Sequence, residues 1–237
     1  MSLTLPIIGT TDAYEVSPSK ILAVGLNYRA HVQESESIKI RGLSGEEPEE
    51  PVLFNMTQNA LNSSGSPIVL PTLLSHVSAS PRTDYEGELV VVMGRDGKNI
   101  PEEKALDWVL GYTCGNDVSQ RDLQNSDRSG WFRGKSLDGF APIGPALMLT
   151  SSCPDPSQLA ITTRLNGTVV QAAHTHEMIF SVSHLIAYIS QYFTLKAGDL
   201  IFTGTPSGVG PLAPGDHVEV EIEGIGVLSN PVVAEEQ

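Results

Sequence analysis

Residues 84–94 change character part-way along: Asp84, Glu86 and Glu88 come first, then an apolar run from Leu89 to Met93 that stops at Gly94. Side chains of an extended chain alternate between faces, so Glu86 and Glu88 share one face, roughly 6.5 to 7 Å apart. Leu89, Val91 and Met93 fall on one side and Val90 and Val92 on the other, a pattern that predicts a strand buried on both faces. A second strand of this kind is predicted over residues 108–114, running into Gly115-Asn116-Asp117. If Asn116 or Asp117 caps a helix there, Asp117, Arg121 and Gln124 align on one helical face.

Elsewhere the pattern predicts short strands over 7–16, 20–25 and 67–71, separated by polar turns. One or two helical turns are expected over 102–107. Asn166-Gly167 between residues 159–165 and 168–172 marks a two-residue hairpin. Leu185, Ile186, Ile189 and Phe193 give residues 183–192 an apolar helical side, on which His184 is read as structural. Residues 198–210 read as a strand opening into a Gly-rich turn, and two more strands, over 215–224 and 226–233, close the chain. Near the start, 27–34 is a short helical stretch that puts His31 and Glu34 on one face. It leads into a polar, acidic segment ending near residue 51, expected to be mobile and to act as a lid over about 28–51. The expected division is a small N-terminal strand segment, 1–18, and a catalytic domain, 19–237. The fold class expected is mixed and β-rich, an α+β chain with a few short helices.

Composition narrows the functional classes. Of 237 residues, 14 are Lys or Arg and 28 are Asp or Glu, a net charge of −14 that repels nucleic acid and anionic membrane surfaces. An anionic small molecule would need a bound cation or a few placed basic groups. Two cysteines, Cys114 and Cys153, make neither a disulfide framework nor a zinc motif. With no signal-like N-terminus and no apolar run of spanning length, the expected location is the cytosol, with no membrane contact. Gly134-Lys135-Ser136 looks like the end of a phosphate loop, but Gly130 precedes it by one residue too few and no buried strand feeds it.

Two carboxylates at the mouth of a buried strand must protonate, reach water or share a cation. Read alone, they are a solvated strand end that discourages edge pairing. With Asp117 added, the three make an all-oxygen site for one divalent ion, suited to Mg²⁺ or Mn²⁺ and less specifically to Ca²⁺.

In order along the chain, residues 25–34, 84–94, 111–124, 134–145, 178–180 and 198–210 resemble the fumarylacetoacetate hydrolase family. The likeness is to its short form, related to acylpyruvases, oxaloacetate decarboxylases and 2-hydroxyhepta-2,4-diene-1,7-dioate isomerases. The resemblance implies a β-roll like the fumarylacetoacetase C-terminal domain, usually a homodimer, in enzymes associated with aromatic catabolism. It implies metal ligands at Glu86, Glu88 and Asp117, and catalytic roles for His31, Glu34 and Lys135. Substrate contacts are implied at Arg29, Arg121, Gln124 and Thr205. Two departures bear on the substrate: Asn55-Met56 where many relatives have Lys-Pro, and Gly139 where many have Thr. The implied chemistry is cleavage of a C–C bond in a 2,4-dioxo acid through an enolate. Oxaloacetate decarboxylation or enol–keto isomerisation on the same site is the alternative, and a non-catalytic metal-binding scaffold is the reading from another class.

Overall fold

A computed structural model describes residues 3–34, 47–72, 78, 81–127 and 130–236. Half of the expected lid, residues 35–46, lies outside the described residues. The two predicted buried strands are neighbours at the centre of a seven-stranded mixed sheet. Its order is Val52–Met56, Ile21–Gly25, Leu200–Phe202, Gly87–Met93, Val109–Asn116, Ala141–Leu149 and Leu61–Ser63. A second sheet of five strands runs Thr168–His174, Ala160–Leu165, His217–Ile222, Gly226–Ala234 and Ile68–Leu70. Few helices accompany them, and the architecture is the β-rich one expected.

The alternation along Gly87–Met93 sorts as its polarity requires. Leu89, Val91 and Met93 enter one core cluster, with Leu185, Ile186 and Ile189 of the helix Val182–Tyr192. Val90 and Val92 enter the other, with Ile21, Ala23, Ile143 and Phe202. All five are fully buried. The Asn166-Gly167 hairpin forms with Leu165 opposite Thr168, both turn residues taking positive φ (52° and 79°) as a tight primed turn demands.

Three expectations need correction. The short strands expected over 7–16, broken at Thr10-Thr11-Asp12, form a small hairpin whose first strand lies earlier, Thr4–Pro6 against Ala13–Glu15, with Leu5 buried in the second core cluster. Phe193 is no part of the apolar helical side: it follows the helix end and is 45% exposed. Neither Asn116 nor Asp117 caps a helix. The strand Val109–Asn116 is followed by a two-residue strand, Ser119–Gln120, paired with Thr83–Tyr85, and only then by the helix Arg121–Ser126. Gln120 caps that helix, its Oε1 accepting from the Leu123 amide at 2.8 Å. The ladder hydrogen bonds to Thr83–Tyr85 hold Ser119 and Gln120 extended, so helix propensity yields to strand pairing.

Candidate metal centre

Pairing register assembles the carboxylates. Gly87 lies opposite Asn116 and Glu88 opposite Gly115, so Asp117, one residue beyond its strand, arrives beside Glu86, just before the other strand. The Asp117 amide donates to the Glu86 carbonyl at 2.8 Å, and Asn116 Oδ1 accepts from the Glu86 amide at 2.9 Å. One carboxylate oxygen from each of Glu86, Glu88 and Asp117 then lies within 4.8 Å of the others, and all three residues are buried.

Two cations enter this cluster from the following helices. Lys135, at the end of the helix Phe132–Lys135, donates from Nζ to Glu86 Oε2 and Asp117 Oδ2, each at 2.6 Å. That helix can approach because residue 134 is glycine: a Cβ there would stand 2.7 Å from both the backbone nitrogen and the Cβ of Gln124. Arg121 spends its guanidinium on three partners, from Nε to Asp84 Oδ2 (2.8 Å), from Nη1 to Gln124 Oε1 (2.8 Å) and from Nη2 to Glu86 Oε1 (2.6 Å).

Three buried carboxylates thus face two cations. Burial opposes ionisation of Glu86, but Lys135 and Arg121 outweigh it and hold the carboxyl down at about 2. Glu88 goes the other way, well up, because burial is joined by repulsion from Asp117 and Glu86. At Asp117 burial dominates, Lys135 pulls down and Glu86 pushes up, and the result is about 7. Lys135 keeps its charge, the two carboxylates overcoming burial. The cluster therefore retains protons where a further positive charge would displace them. Asp117 Oδ1 is buried and lacks a hydrogen-bond partner, Glu88 Oε2 accepts from the Gly204 amide at 2.8 Å, and every donor is a hard oxygen. This set fits a divalent cation of the Mg²⁺ or Mn²⁺ kind.

The cluster lies in a small pocket, partly open to solvent. His31, Arg121, Gln124, Lys135 and Thr205 line it with the three carboxylates, so the structure brings together nearly every residue singled out in the sequence. His31 Nδ1 is 3.3 Å from Glu34 Oε1, which also accepts from the Gly208 amide at 2.8 Å. The helix Arg29–Glu34 is thereby fastened to the Gly-rich turn. Thr205 Oγ1 donates to the Gly87 carbonyl and accepts from Gln171 Nε2, both at 2.9 Å. Arg29 is not brought in: it is exposed and paired with Glu47 at 2.7 Å, outside this pocket.

Sequence reasoning passed over three supporting residues. Asp84, buried, bridges Arg82 and Arg121. Asn116 holds the Glu86 amide. Asn27 ties residue 180 to residue 203, its Nδ2 donating to the Thr203 carbonyl at 2.7 Å and its Oδ1 accepting from the Phe180 amide at 2.8 Å. Asp84 was within reach, because it precedes Glu86 by the two-residue step that separates Glu86 from Glu88.

A β-rich fold with a buried carboxylate triad and a lysine in one pocket defines a class of acidic, cation-ready sites. Within that class, the sequence profile of the fumarylacetoacetate hydrolase C-terminal domain matches residues 20–233, and the chain belongs to this family. The mitochondrial oxaloacetate tautomerase fahd2 of Xenopus laevis is 40% identical over 225 residues, covering 92% of this chain and 66% of that one. Fumarylpyruvate hydrolase from Pseudomonas aeruginosa, solved with Mn²⁺ and pyruvate, superposes with a TM-score of 0.83 at 35% identity, covering 99% and 97% of the two chains. The 2-hydroxyhepta-2,4-diene-1,7-dioate isomerase of Mycobacterium marinum gives 0.78 at 41% identity, covering 95% and 80%. Among the described residues no helix is long and apolar enough to cross a membrane.

Proposed function

We propose that the chain is a divalent-metal-dependent hydrolase that cleaves a C–C bond in 2,4-dioxo acids. The observation that carries this reading is the shared pocket: a carboxylate triad fit for a cation and the imidazole of His31 line one small cavity, and Glu34 is paired with that imidazole at 3.3 Å. Glu86, Glu88 and Asp117 would hold Mg²⁺ or Mn²⁺, which when bound supplies a Lewis acid that polarises the 2-oxo group and stabilises developing enolate charge. His31 takes a proton from water, and its imidazole is oriented by Glu34, itself fixed by the Gly208 amide. The water oxygen bonds to the distal carbonyl carbon. The bond between that carbon and the methylene carbon breaks, and its electron pair stays on the pyruvate fragment as the enolate. The proton that His31 took returns to that carbon to give pyruvate, and the distal fragment leaves as a carboxylic acid. Lys135 keeps an ammonium beside the substrate oxygens throughout, which stabilises negative charge there.

The tautomerase and isomerase relatives support a second reading, proton transfer or decarboxylation on the same enolate-forming site, which needs no water-activating base. The hydrolase is favoured because His31 and Glu34 supply one. The reading includes a homodimer acting on small 2-oxo or 2,4-dioxo acids in the cytosol. The test is turnover of acetylpyruvate and oxaloacetate side by side with Mg²⁺, Mn²⁺ or EDTA, following enol absorbance and pyruvate. Cleavage of acetylpyruvate that EDTA stops supports the hydrolase; consumption of oxaloacetate alone replaces it with the second reading.

A further inference from the structure

One part of the pocket lining is aromatic and aliphatic, built from Trp131, Phe54, Val24 and Leu26. Phe54 and Trp131 meet edge to face, with ring centroids 5.2 Å apart and planes at 69°. Trp131 is 7% exposed and its indole lies on Gly25, where a Cβ would stand only 2.3 Å from the ring. The Phe54 ring in turn lies 5.3 Å from the Lys135 ammonium. Packing therefore fixes this wall beside the carboxylate cluster.

Among the described residues lining the pocket, only Arg121, Lys135 and His31 can carry positive charge. Arg121 gives three of its five N–H donors to Asp84, Gln124 and Glu86, and its charge is already shared between two buried carboxylates. Lys135 gives two of its three protons to Glu86 and Asp117, and His31 is paired with Glu34. One substrate carboxylate can be met by the remaining Lys135 proton and a bound cation. A second, at the far end of the substrate, would be buried against aromatic rings with no counterion among the described residues, which is costly. The negative faces of those rings add to the penalty.

We propose that this pocket selects 2-oxo and 2,4-dioxo acids whose distal end is short, uncharged and apolar, and discriminates against those with a second carboxylate there. Trp131 and Phe54 are the specificity-determining residues. The inference rests on the 2-oxo acid reading above and deepens it, favouring an acylpyruvate with an aliphatic acyl group over a dicarboxylate such as fumarylpyruvate or oxaloacetate.

The experiment titrates the full-length, Mn²⁺-loaded protein with 2-oxohexanoate and 2-oxoglutarate by calorimetry. These acids share the chelating head, differ at the far end, and lack the 4-oxo group needed for cleavage. 2-Oxohexanoate should bind at least about tenfold more tightly. Trp131→Ala should bring the ratio towards one, and Phe54→Lys should invert it by supplying the missing cation. Equal or tighter binding of 2-oxoglutarate to the wild type overturns the inference while leaving the 2-oxo acid reading intact. A preference unchanged by both substitutions removes Trp131 and Phe54 as its source. Binding of Mn²⁺ with neither acid bound would sink the functional reading itself, and the inference with it.

Discussion

The ammonium of Lys135 stands 2.6 Å from Oδ2 of Asp117, both side chains buried, while the other oxygen of that carboxylate has no partner. Lys135 is thus a resident counter-charge that neutralises part of the cluster and leaves Asp117 and Glu88 short of positive charge. Their carboxyls are raised, chiefly by burial, Asp117 from 3.8 to about 7. Between these values the folded metal-free protein holds a proton that the unfolded chain has released. Its stability must therefore fall as pH rises through that window. Glu86, held down at about 2, acts oppositely and contributes stability that is lost only as pH falls towards that value. Thermal melts with EDTA should show a lower Tm at about pH 8 than at about pH 5.5, and the Tm gained from Mn²⁺ should grow over the same range as binding expels the protons. A gain in Tm that is flat with pH would refute this account.

Replacing Glu88 removes one of the three oxygens without touching the Lys135 or Arg121 contacts. Glu88→Ala should lower metal affinity by more than the roughly 10- to 100-fold typical of an outer-shell change and abolish metal-dependent turnover, with the circular dichroism of a folded chain. Undiminished activity in this variant removes the metal hypothesis.

Asp84 fixes Arg121 through Nε and also pairs with Arg82. Asp84→Asn should weaken Mn²⁺ binding by about 10- to 100-fold, because the guanidinium that orients Glu86 loses its charged partner. It should also destabilise the fold by about 3–5 kcal/mol, the cost of breaking a buried pair. Calorimetric titration and chemical denaturation read the two effects separately, and wild-type metal affinity would show that Arg121 needs no such anchor.

His31 is the base available to the water. His31→Ala should slow dioxo acid cleavage by about 10²- to 10⁴-fold and oxaloacetate consumption much less. Equal losses on both substrates would mean that His31 positions the substrate or the segment that follows it.

Gly134 lets the Lys135 helix rest on Gln124, and an added Cβ would meet backbone there at 2.7 Å. Gly134→Ala should cost about 1–3 kcal/mol as overpacking and shift Lys135 from its carboxylates. A Tm equal to wild type would show that the contact relaxes freely.

Much of this protein was legible in the order of its residues. Period-two alternation after Glu88 determined a strand buried on both faces, and Asn166-Gly167 determined a hairpin, because both signals act between residues close in sequence. The carboxylate triad and the family resemblance were legible for a related reason: residue types at short spacings keep their meaning without the rest of the chain. Tertiary structure decided what depends on distant partners. Whether Asp117 began a helix was settled by pairing of Ser119–Gln120 with Thr83–Tyr85, a strand more than thirty residues earlier that no local propensity encodes. That Arg29 faces Glu47 while Arg121 enters the site depends on which carboxylates the fold places within reach. Nor could spacing show that Gly25 seats Trp131, or that Lys135 is shared between Glu86 and Asp117. Side-chain chemistry is written one residue at a time, whereas charge balance and pocket walls belong to groups that only packing brings together.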